Sequence, residues 1–358
     1  MNTIVLTGGG TAGHVTPNLA LAEELRRRGF DLLYIGSYEG IEKELAEKAG
    51  LPYRGVSTGK LRRYFDLKNL TDPIRVQKGV GEARRLLRKE RPALVFSKGG
   101  FVSVPVVVAA RELRIPVIIH ESDMTPGLAN RICYPYAAKI LCNFPETLAR
   151  LPKGKSLVSG CPIRPELLTG SREAGLAFTG LSGEKPVLLA MGGSLGSVRL
   201  NNALRSILPR LLKDFEVVHL CGRGNTDPSF DQDGYRQYEY ISGELKDLFA
   251  LADLVISRAG ANAVCELIAL RKPNLLIPLS AQASRGDQIL NAASCQKQGF
   301  SMVLQEEEIT DNALFAALSE LYRERDHYAK VMAESPQGDA VAFIADLIED
   351  TARKEKKK

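Results

Sequence analysis

Two segments of this chain repeat one order: a short apolar run, a glycine-rich turn, and then an amphipathic helical pattern. The first begins with TIVLT at residues 3–7 and continues into GGGTAGH; the second begins with PVLLAM at residues 186–191 and continues into GGSLGS. Short continuous apolar runs are typical of parallel strands that are buried on both faces. Their alternation with helices predicts right-handed βαβ units, so the predicted fold class is α/β with doubly wound parallel sheets.

The two series predict two Rossmann-like domains that face each other across a cleft. They meet near LVSGCPIRPELL, where Pro162 and Pro165 exclude a continuous helix. We therefore assign residues 1–162 to the first domain and residues 163–338 to the second. The last helical pattern, residues 339–352, has no strand after it and is expected to pack back on the first domain.

Composition places the chain among soluble globular proteins, since 44% of its 358 residues are hydrophobic and 25% are charged. No uncharged apolar run approaches the ~18 residues that a membrane span needs, and the N-terminus lacks the basic start of a signal peptide. The six cysteines are scattered without metal-ligand spacing and are expected to be buried thiols. These features favour the cytoplasm.

The segment from residue 54 to residue 91 is strongly basic. It contains twelve Lys or Arg and four Asp or Glu, a net charge of +8 in a chain whose overall charge is +6. Its apolar residues, such as Phe65 and Ile74, lie between the basic ones, which favours an anionic membrane surface over a solvated helix face. Nucleic acid is disfavoured, because the chain has no Trp and only 6% aromatic residues to stack on bases.

The first glycine-rich turn, Gly8 to His14, has the G-x-G-x-x-G spacing of a dinucleotide site. Its backbone N–H groups and the helix N-terminus behind it favour an anionic group. A dinucleotide site also needs a carboxylate at the end of the second strand, about 20 residues on, to hold the ribose. That strand ends at Ser37 without an acid, so NAD is disfavoured. His14 is the candidate for proton transfer, because the ordinary pKa of imidazole lies near neutral pH.

Polar residues of the second domain lie where its predicted strands end. The turn GGSLGS, with Ser194, can hold a phosphate at a helix N-terminus. Glu266 lies in the helix after the turn SRAG and can reach a sugar hydroxyl pair, while Asp287 and Gln288 begin the helix after the next strand. Ligands of open α/β sheets bind at these carboxyl ends of strands.

Two further motifs contain acidic residues. The loop HESDMTPG follows a predicted strand of the first domain and contains Glu121 and Asp123, whereas His120 is expected to end that strand as a packed or hydrogen-bonded residue. Asp231 and Asp233 match a D-x-D metal-binding pattern, but they lie in a polar loop away from any strand end. We interpret that loop as surface and predict no metal site.

Seven short motifs occur along the chain in one order: TGGGTAGHVTP, GGFVSVP, HESDMTPGLANR, GCPIR, GGSLGS, SRAGANAVCE and DQILNA. In this order they resemble the MurG family of peripheral-membrane glycosyltransferases, over nearly the whole chain. The resemblance implies the GT-B fold, a deep cleft between the two domains, and no metal or other cofactor. It also implies an inverting transfer of GlcNAc from UDP-GlcNAc to the muramyl 4-hydroxyl of lipid I, giving lipid II at the cytoplasmic face of the membrane.

The resemblance also assigns roles to individual residues. The catalytic base is His14 or Asp123, because Asp123 stands where the commoner family pattern HEQN has Asn. Glu266 holds the ribose, and backbone groups near residues 240–243 contact the uracil. The residues implied in binding UDP-GlcNAc are Thr11, Ala12, Gly13, Arg164, Gly193, Ser194, Ala261, Asn262, Ala263, Val264, Cys265, Glu266, Asp287 and Gln288.

Three alternatives stay open. A related GT-B enzyme could glycosylate another lipid such as diacylglycerol, although HESDMTPGLANR favours the muramyl acceptor. The missing carboxylate at the strand end argues against a Rossmann oxidoreductase. The two glycine turns together with His14 argue against a non-catalytic membrane-surface scaffold. The segment STGKLRRYFDLKNL, residues 57–70, is longer and more basic than in typical family members, and we place it on the acceptor or membrane side.

Overall fold

The computed structural model describes residues 2–59, 72–193, 196–241, 243–281, 286–335 and 339–356. The chain divides into two compact units, Met1–Arg164 with Asp339–Lys358, and Pro165–Gly338. The division lies two residues later than the boundary predicted after residue 162, because the 3₁₀ helix Pro165–Thr169 packs on a helix of the second unit. Arg164 therefore ends the first unit, whereas the sequence had placed it in the second.

A parallel sheet forms the centre of the first unit, with seven strands among the described residues in the order β3-β2-β1-β4-β5-β6-β7. The strands are β1 Thr3–Thr7, β2 Asp31–Ser37, β3 Tyr53–Val56, β4 Leu94–Ser97, β5 Val117–Glu121, β6 Lys139–Cys142 and β7 Ser156–Val158. The helices between them are α1 Thr16–Arg27, α2 Ile41–Lys48, α3 Asp72–Glu90, α4 Val104–Glu112 and α5 Leu128–Cys133.

The second unit has a parallel sheet of six strands among the described residues, in the order β10-β9-β8-β11-β12-β13. The strands are β8 Val187–Met191, β9 Glu216–Leu220, β10 Tyr235–Tyr238, β11 Leu254–Ser257, β12 Asn274–Leu276 and β13 Met302–Val303. The helices of this unit are α6 Arg172–Thr179, α7 Val198–Leu211, α8 Leu245–Leu251, α9 Ala261–Ala269, α10 Asp287–Lys297, α11 Asp311–Arg323 and α12 Arg325–Ala333. Each unit is an α/β fold with a doubly wound parallel sheet, which confirms the predicted fold class.

Side chains of the first sheet alternate between two buried cores, one on each face. Val5 and Ile35 belong to one core, and their chain neighbours Ile4 and Tyr34 belong to the other. Successive residues of a strand point to opposite faces, so a strand that is apolar throughout needs cover on both sides. Helices provide that cover, which explains why the strand sequences are continuous apolar runs.

The last helix, α13 Ala340–Lys356, belongs to the first unit. Its buried residues Ile344 and Ile348 pack in the same core as Leu25 of α1. At the rim of that contact, Arg28 Nη1 lies 2.5 Å from Asp346 Oδ1. The end of the chain thus completes the cover of the first sheet.

The described helices and the cysteines have two further properties. Among the described helices, none is long and apolar enough to cross a membrane. The six cysteines are buried, and burial raises the pKa of Cys133 and of Cys142 to about 12. Such thiols stay protonated at neutral pH and are poor nucleophiles.

Candidate active site

Each sheet reverses its strand order at one point, between β1 and β4 in the first unit and between β8 and β11 in the second. Ligands of open α/β sheets bind at the carboxyl ends of strands near this reversal. A glycine-rich turn lies there in each unit, at residues 8–13 after β1 and, among the described residues that follow β8, at Gly192, Gly193, Gly196 and Ser197.

The first turn depends on glycine because the backbone folds back on itself. A Cβ on Gly8 would lie 2.6 Å from the His14 carbonyl oxygen, which is closer than real Cβ contacts. Gly10 has a φ of +85°, in the region that favours glycine. Ala12–His14 form a 3₁₀ turn, and Thr11 Oγ1 lies 3.2 Å from His14 Nδ1. The turn thus places His14 beside the exposed Thr11 at the edge of the sheet.

Glu42 of α2 contacts this turn, although no motif in the sequence pointed to it. Its fully buried carboxylate accepts hydrogen bonds from Gly10 N at 3.2 Å and from Ser37 N at 3.1 Å, and it also contacts the Ser37 hydroxyl. A Cβ on Gly9 would lie 2.5 Å from Glu42 Cδ, and a Cβ on Gly40 would lie 2.2 Å from Glu42 Oε1. An internal carboxylate therefore holds an amide of the turn that a phosphate could otherwise bind.

His14 is half-buried beside the buried Lys98 that follows β4. Burial, followed by the positive charge of Lys98, lowers the pKa of His14 to about 4, while a hydrogen bond with the Gly9 backbone opposes this shift. The imidazole is therefore neutral at pH 7, which is the state that can accept a proton.

The β5 loop is held by the buried Glu121. Its carboxylate accepts hydrogen bonds from Asp123 N and Gly127 N, both at 3.1 Å, and from Asn130 Nδ2 at 2.9 Å. Burial raises the pKa of Glu121. Asp123 is exposed on this loop, at the same sheet edge as the first turn but on a different strand.

His120 is fully buried and hydrogen-bonded, which confirms the prediction for it. Its Nε2 lies 2.8 Å from Gly160 O, and its Nδ1 lies 2.7 Å from Lys98 Nζ. Lys98 was missed by the sequence analysis. In the sequence SKGG it looks like an ordinary surface cation, and its partner is 22 residues away.

A cavity of about 930 Å³ opens in the first unit beside this turn. Glu42 and the first turn form one wall, and helix α3 contributes Arg75 and Lys78 of the basic segment. The other lining residues are Ser37, Tyr38, Glu39, Gly40, Ile41, Val56, Ser57, Thr58, Gly59, Gly100, Phe101 and Val102. His14 is thus a neutral imidazole at the edge of a cavity that two cations face.

The turn of the second unit also relies on close backbone approach. A Cβ on Gly196 would lie 2.0 Å from Cys221 O, and Gly193 has a φ of +86°. Ser197 caps α7, since its hydroxyl accepts a hydrogen bond from Leu200 N at 3.3 Å. Ser194, predicted to bind phosphate, lies outside the described residues.

A buried ion pair links the strand ends of the second unit. Arg258 donates from Nη2 to the Ser197 hydroxyl at 2.5 Å and to the Glu306 carboxylate, and from Nη1 to Ile277 O at 3.1 Å. Although burial alone would raise it, the hydrogen bond and charge of Arg258 hold the pKa of Glu306 below its ordinary value. In the sequence Arg258 is only part of the turn SRAG, and no local motif points to its partner Glu306, which is 48 residues away.

Helix α9 begins at Ala261, three residues after Arg258. Its N-cap Gly260 has no side-chain cap, and a Cβ built there would meet no atom of the described residues within 4 Å. The first amides of a helix have no partner within the helix, so this N-terminus favours an anion. Of the residues predicted here, Ala261 and Ala263 are half-buried, Asn262 is exposed and Glu266 is half-buried.

Two predicted ligand-binding residues of α9 lie in the core. The side chains of Val264 and Cys265 are buried, and Val264 N donates to Gly260 O at 3.0 Å. Helical periodicity explains the burial of Val264, because residue 264 lies on the opposite face of the helix from the exposed residue 262.

Helix α10 places Asp287 and Gln288 half-buried in its first turn, behind Gly286 at a φ of +81°. The Gln288 side-chain oxygen accepts a hydrogen bond from Leu279 N at 3.1 Å, and Asn291 Nδ2 donates to Ala259 O at 3.0 Å. Gln288 thus already ties α10 to the segment after β12.

Comparisons with known proteins agree with this architecture. Residues 4–142 match the glycosyltransferase family 28 N-terminal domain, and residues 187–350 match the glycosyltransferase family 28 C-terminal domain. A crystal structure of MurG from Acinetobacter baumannii has a TM-score of 0.74 and 24% identity, covering 98% of this chain and 100% of that chain. The fold is that of a GT-B glycosyltransferase, and both domains of family 28 are present.

Two curated relatives narrow the family. A UDP-N-acetylglucosamine–N-acetylmuramyl-(pentapeptide) pyrophosphoryl-undecaprenol N-acetylglucosamine transferase from Lachnoclostridium phytofermentans is 59% identical, over 99% of this chain and 100% of its own length. One of the same name from Geobacillus thermodenitrificans is 56% identical, over 98% and 99%. The chain belongs to the MurG family.

The ion pair of the second unit gives a stability prediction. Replacing Glu306 by Gln leaves the Arg258 guanidinium buried without a counter-charge, which costs about 3–5 kcal/mol. Thermal unfolding followed by differential scanning fluorimetry should show a lower Tm. Glu307→Gln removes the same charge from the exposed neighbouring position and should leave the Tm unchanged. Equal Tm values for the two variants would contradict a stabilising pair.

Proposed function

We propose that this chain transfers GlcNAc from UDP-GlcNAc to the muramyl 4-hydroxyl of lipid I, giving lipid II. The observation that carries the proposal is 59% identity along 99% of the chain to a curated transferase of that name. The two glycine-rich turns and the neutral His14 beside a large cavity agree with it.

The donor is assigned to the second unit. The diphosphate of UDP-GlcNAc would bind at the turn of residues 192–197 and at the open N-terminus of α9, where amide groups and the helix dipole favour negative charge. Glu266 would hold the ribose hydroxyls, with Asp287 and Gln288 near the sugar. Support comes from the Arg258–Glu306 pair, since Arg258 lies two residues before the N-cap of α9 and also donates to Ser197, the N-cap of α7.

The acceptor is assigned to the cavity of the first unit. Because the Gly10 amide already donates to Glu42, the cations Arg75 and Lys78 are better suited than the turn to bind the acceptor's diphosphate. His14 and Thr11 line the same cavity and can approach a sugar hydroxyl.

The proposed reaction is an inverting displacement. The acceptor 4-hydroxyl oxygen attacks C1 of GlcNAc from the face opposite the leaving group, the bond from C1 to the phosphate oxygen breaks, and UDP departs. His14 accepts the hydroxyl proton as the new bond forms. Positioning of the substrates and stabilisation of the departing diphosphate by backbone amides supply the remaining acceleration.

Release of UDP tests the acceptor directly. The full chain is incubated with UDP-GlcNAc and a short-chain lipid I analogue, and UDP is measured with a coupled assay. We expect UDP release that requires the acceptor, with the GlcNAc-extended product detected by mass spectrometry. Release with diacylglycerol in place of the lipid I analogue, and none with that analogue, would overturn the acceptor assignment.

The base is decided by two variants. We expect His14→Ala to lower kcat by roughly 10²–10⁴-fold, because a positioned base contributes about that much. Asp123→Asn, which removes the charge and keeps the shape, should cost less. Steady-state kinetics at saturating donor and acceptor measure both. If Asp123→Asn has the larger effect, the base is Asp123.

Membrane association is the second part of the proposal, with the protein held at the cytoplasmic face. The described part of the basic segment supports it, since Arg85, Arg88 and Lys89 are exposed on α3 and Ile74 is 68% exposed. The apolar residues Phe65, Leu67 and Leu70 of the predicted surface lie outside the described residues. Cations near an anionic bilayer are attracted by about 1 kcal/mol each.

Vesicle co-sedimentation tests this surface. Changing Arg85, Arg88 and Lys89 together to Ala should weaken binding to phosphatidylglycerol vesicles by roughly a hundredfold, which corresponds to about 1 kcal/mol for each cation. A control triple variant, Lys213→Ala with Arg323→Ala and Lys330→Ala, removes three exposed cations from the second unit and should bind like the wild type. Equal losses in the two variants would indicate attraction by net charge alone.

A further inference from the structure

A buried ammonium lies behind the first glycine-rich turn. Lys98 directly follows β4 and is 1% exposed. Its Nζ lies 2.7 Å from His120 Nδ1 and contacts the Ser122 hydroxyl. Within the residues that the structure describes, no carboxylate forms an ion pair with it. A buried charge without a counter-charge is costly, so it needs a reason beyond stability.

The ammonium fixes the state of His120. An ammonium can only donate hydrogen bonds, so His120 Nδ1 must be the acceptor and the ring proton must be on Nε2. That proton is donated to Gly160 O at 2.8 Å. Burial and then the charge of Lys98 hold the pKa of His120 well below its ordinary value. His120 is thus a neutral bridge between Lys98 and the segment that follows β7.

Lys98 also anchors the loop that contains Asp123. Ser122 is held from one side by Lys98 through its hydroxyl, and from the other by Asn143 Nδ2, which donates to Ser122 O at 3.0 Å. Glu121 accepts from the Asp123 amide. The first residues of the loop are therefore fixed by hydrogen bonds.

The same side chain lies against the first turn. A Cβ on Gly8 would lie 3.1 Å from Lys98 Cβ and 2.6 Å from His14 O, so Lys98 packs directly behind the turn. Its charge is the second cause, after burial, of the low pKa of His14. The other charged or titratable side chains that line the cavity beside His14 are Tyr38, Glu39, Glu42, Arg75 and Lys78.

We propose that Lys98 is a positioning residue for the transfer: it fixes the Ser122 loop, directly and through His120, and places a positive charge behind His14. The charge adds to burial in lowering the pKa of the imidazole, which is neutral until the acceptor hydroxyl delivers its proton. The inference rests on the proposed function, because it assumes that His14 is the base.

Two neutral variants separate the two roles. Lys98→Gln removes the charge but keeps a side-chain N–H that can donate to His120, whereas Lys98→Met removes both. The chain has four histidines, so NMR of the full chain with ¹³C-labelled histidine can follow each imidazole during a pH titration. We expect the pKa of His14 to rise from about 4 by roughly one unit in both variants. The acid limb of the kcat profile should move up by the same amount. At pH 8, Lys98→Met should lower kcat more than Lys98→Gln does.

Internal references make the outcomes decisive. Ser122→Ala keeps the ammonium and should leave the His14 titration in place, and His219 of the second unit should titrate as in the wild type in every variant. An unmoved His14 titration in both Lys98 variants overturns the electrostatic role. Equal losses of kcat at pH 8 overturn the orienting role through His120. If the pKa of His14 moves but the acid limb of the kcat profile does not, the proposal is also overturned. In that case the failure lies in the assignment of His14 as the base.

Discussion

Both units depend on a close backbone approach at the end of their first strand, which only glycine permits. A Cβ would come within 2.6 Å of a carbonyl oxygen at Gly8 and within 2.0 Å at Gly196. Because the chain turns so tightly there, the following helix starts at the sheet edge with its N-terminus directed towards the neighbouring strand ends. The polar loops that follow the other strands meet it at that edge, so the tight turn determines where a site can form.

The two units use this shared geometry in opposite ways. In the first, the buried carboxylate of Glu42 accepts from Gly10 N, and negative charge from the protein already occupies part of the turn. In the second, α9 begins after Gly260, where a Cβ would meet no atom of the described residues, and Arg258 of the buried ion pair lies two residues before that glycine. An anionic ligand is repelled by the first arrangement and favoured by the second. This difference is the physical argument for assigning the diphosphate donor to the second unit.

The strand and helix pattern predicted the fold because continuous apolar runs leave few alternatives to buried parallel strands. The side chains that hold the site could not be predicted in the same way. No acid ends β2 at Ser37, and the sequence shows this directly. The carboxylate that reaches the first turn comes instead from Glu42 in the next helix, and only the folded β2–α2 connection brings it there. Lys98 and Glu306 likewise find their partners 22 and 48 residues away, beyond any local pattern.

The neutral state of His14 has a cost that the proposed acceptor can offset. An imidazole with a pKa of about 4 is always ready to accept a proton at pH 7, but it is a weak base. His120 and His219 are also neutral, yet both of their ring nitrogens have protein partners and neither lines the cavity. In the proposed reaction the acceptor brings a diphosphate into the cavity beside His14. That negative charge favours the imidazolium, so the base strengthens when substrate binds, whereas burial and the charge of Lys98 favour the neutral imidazole before then.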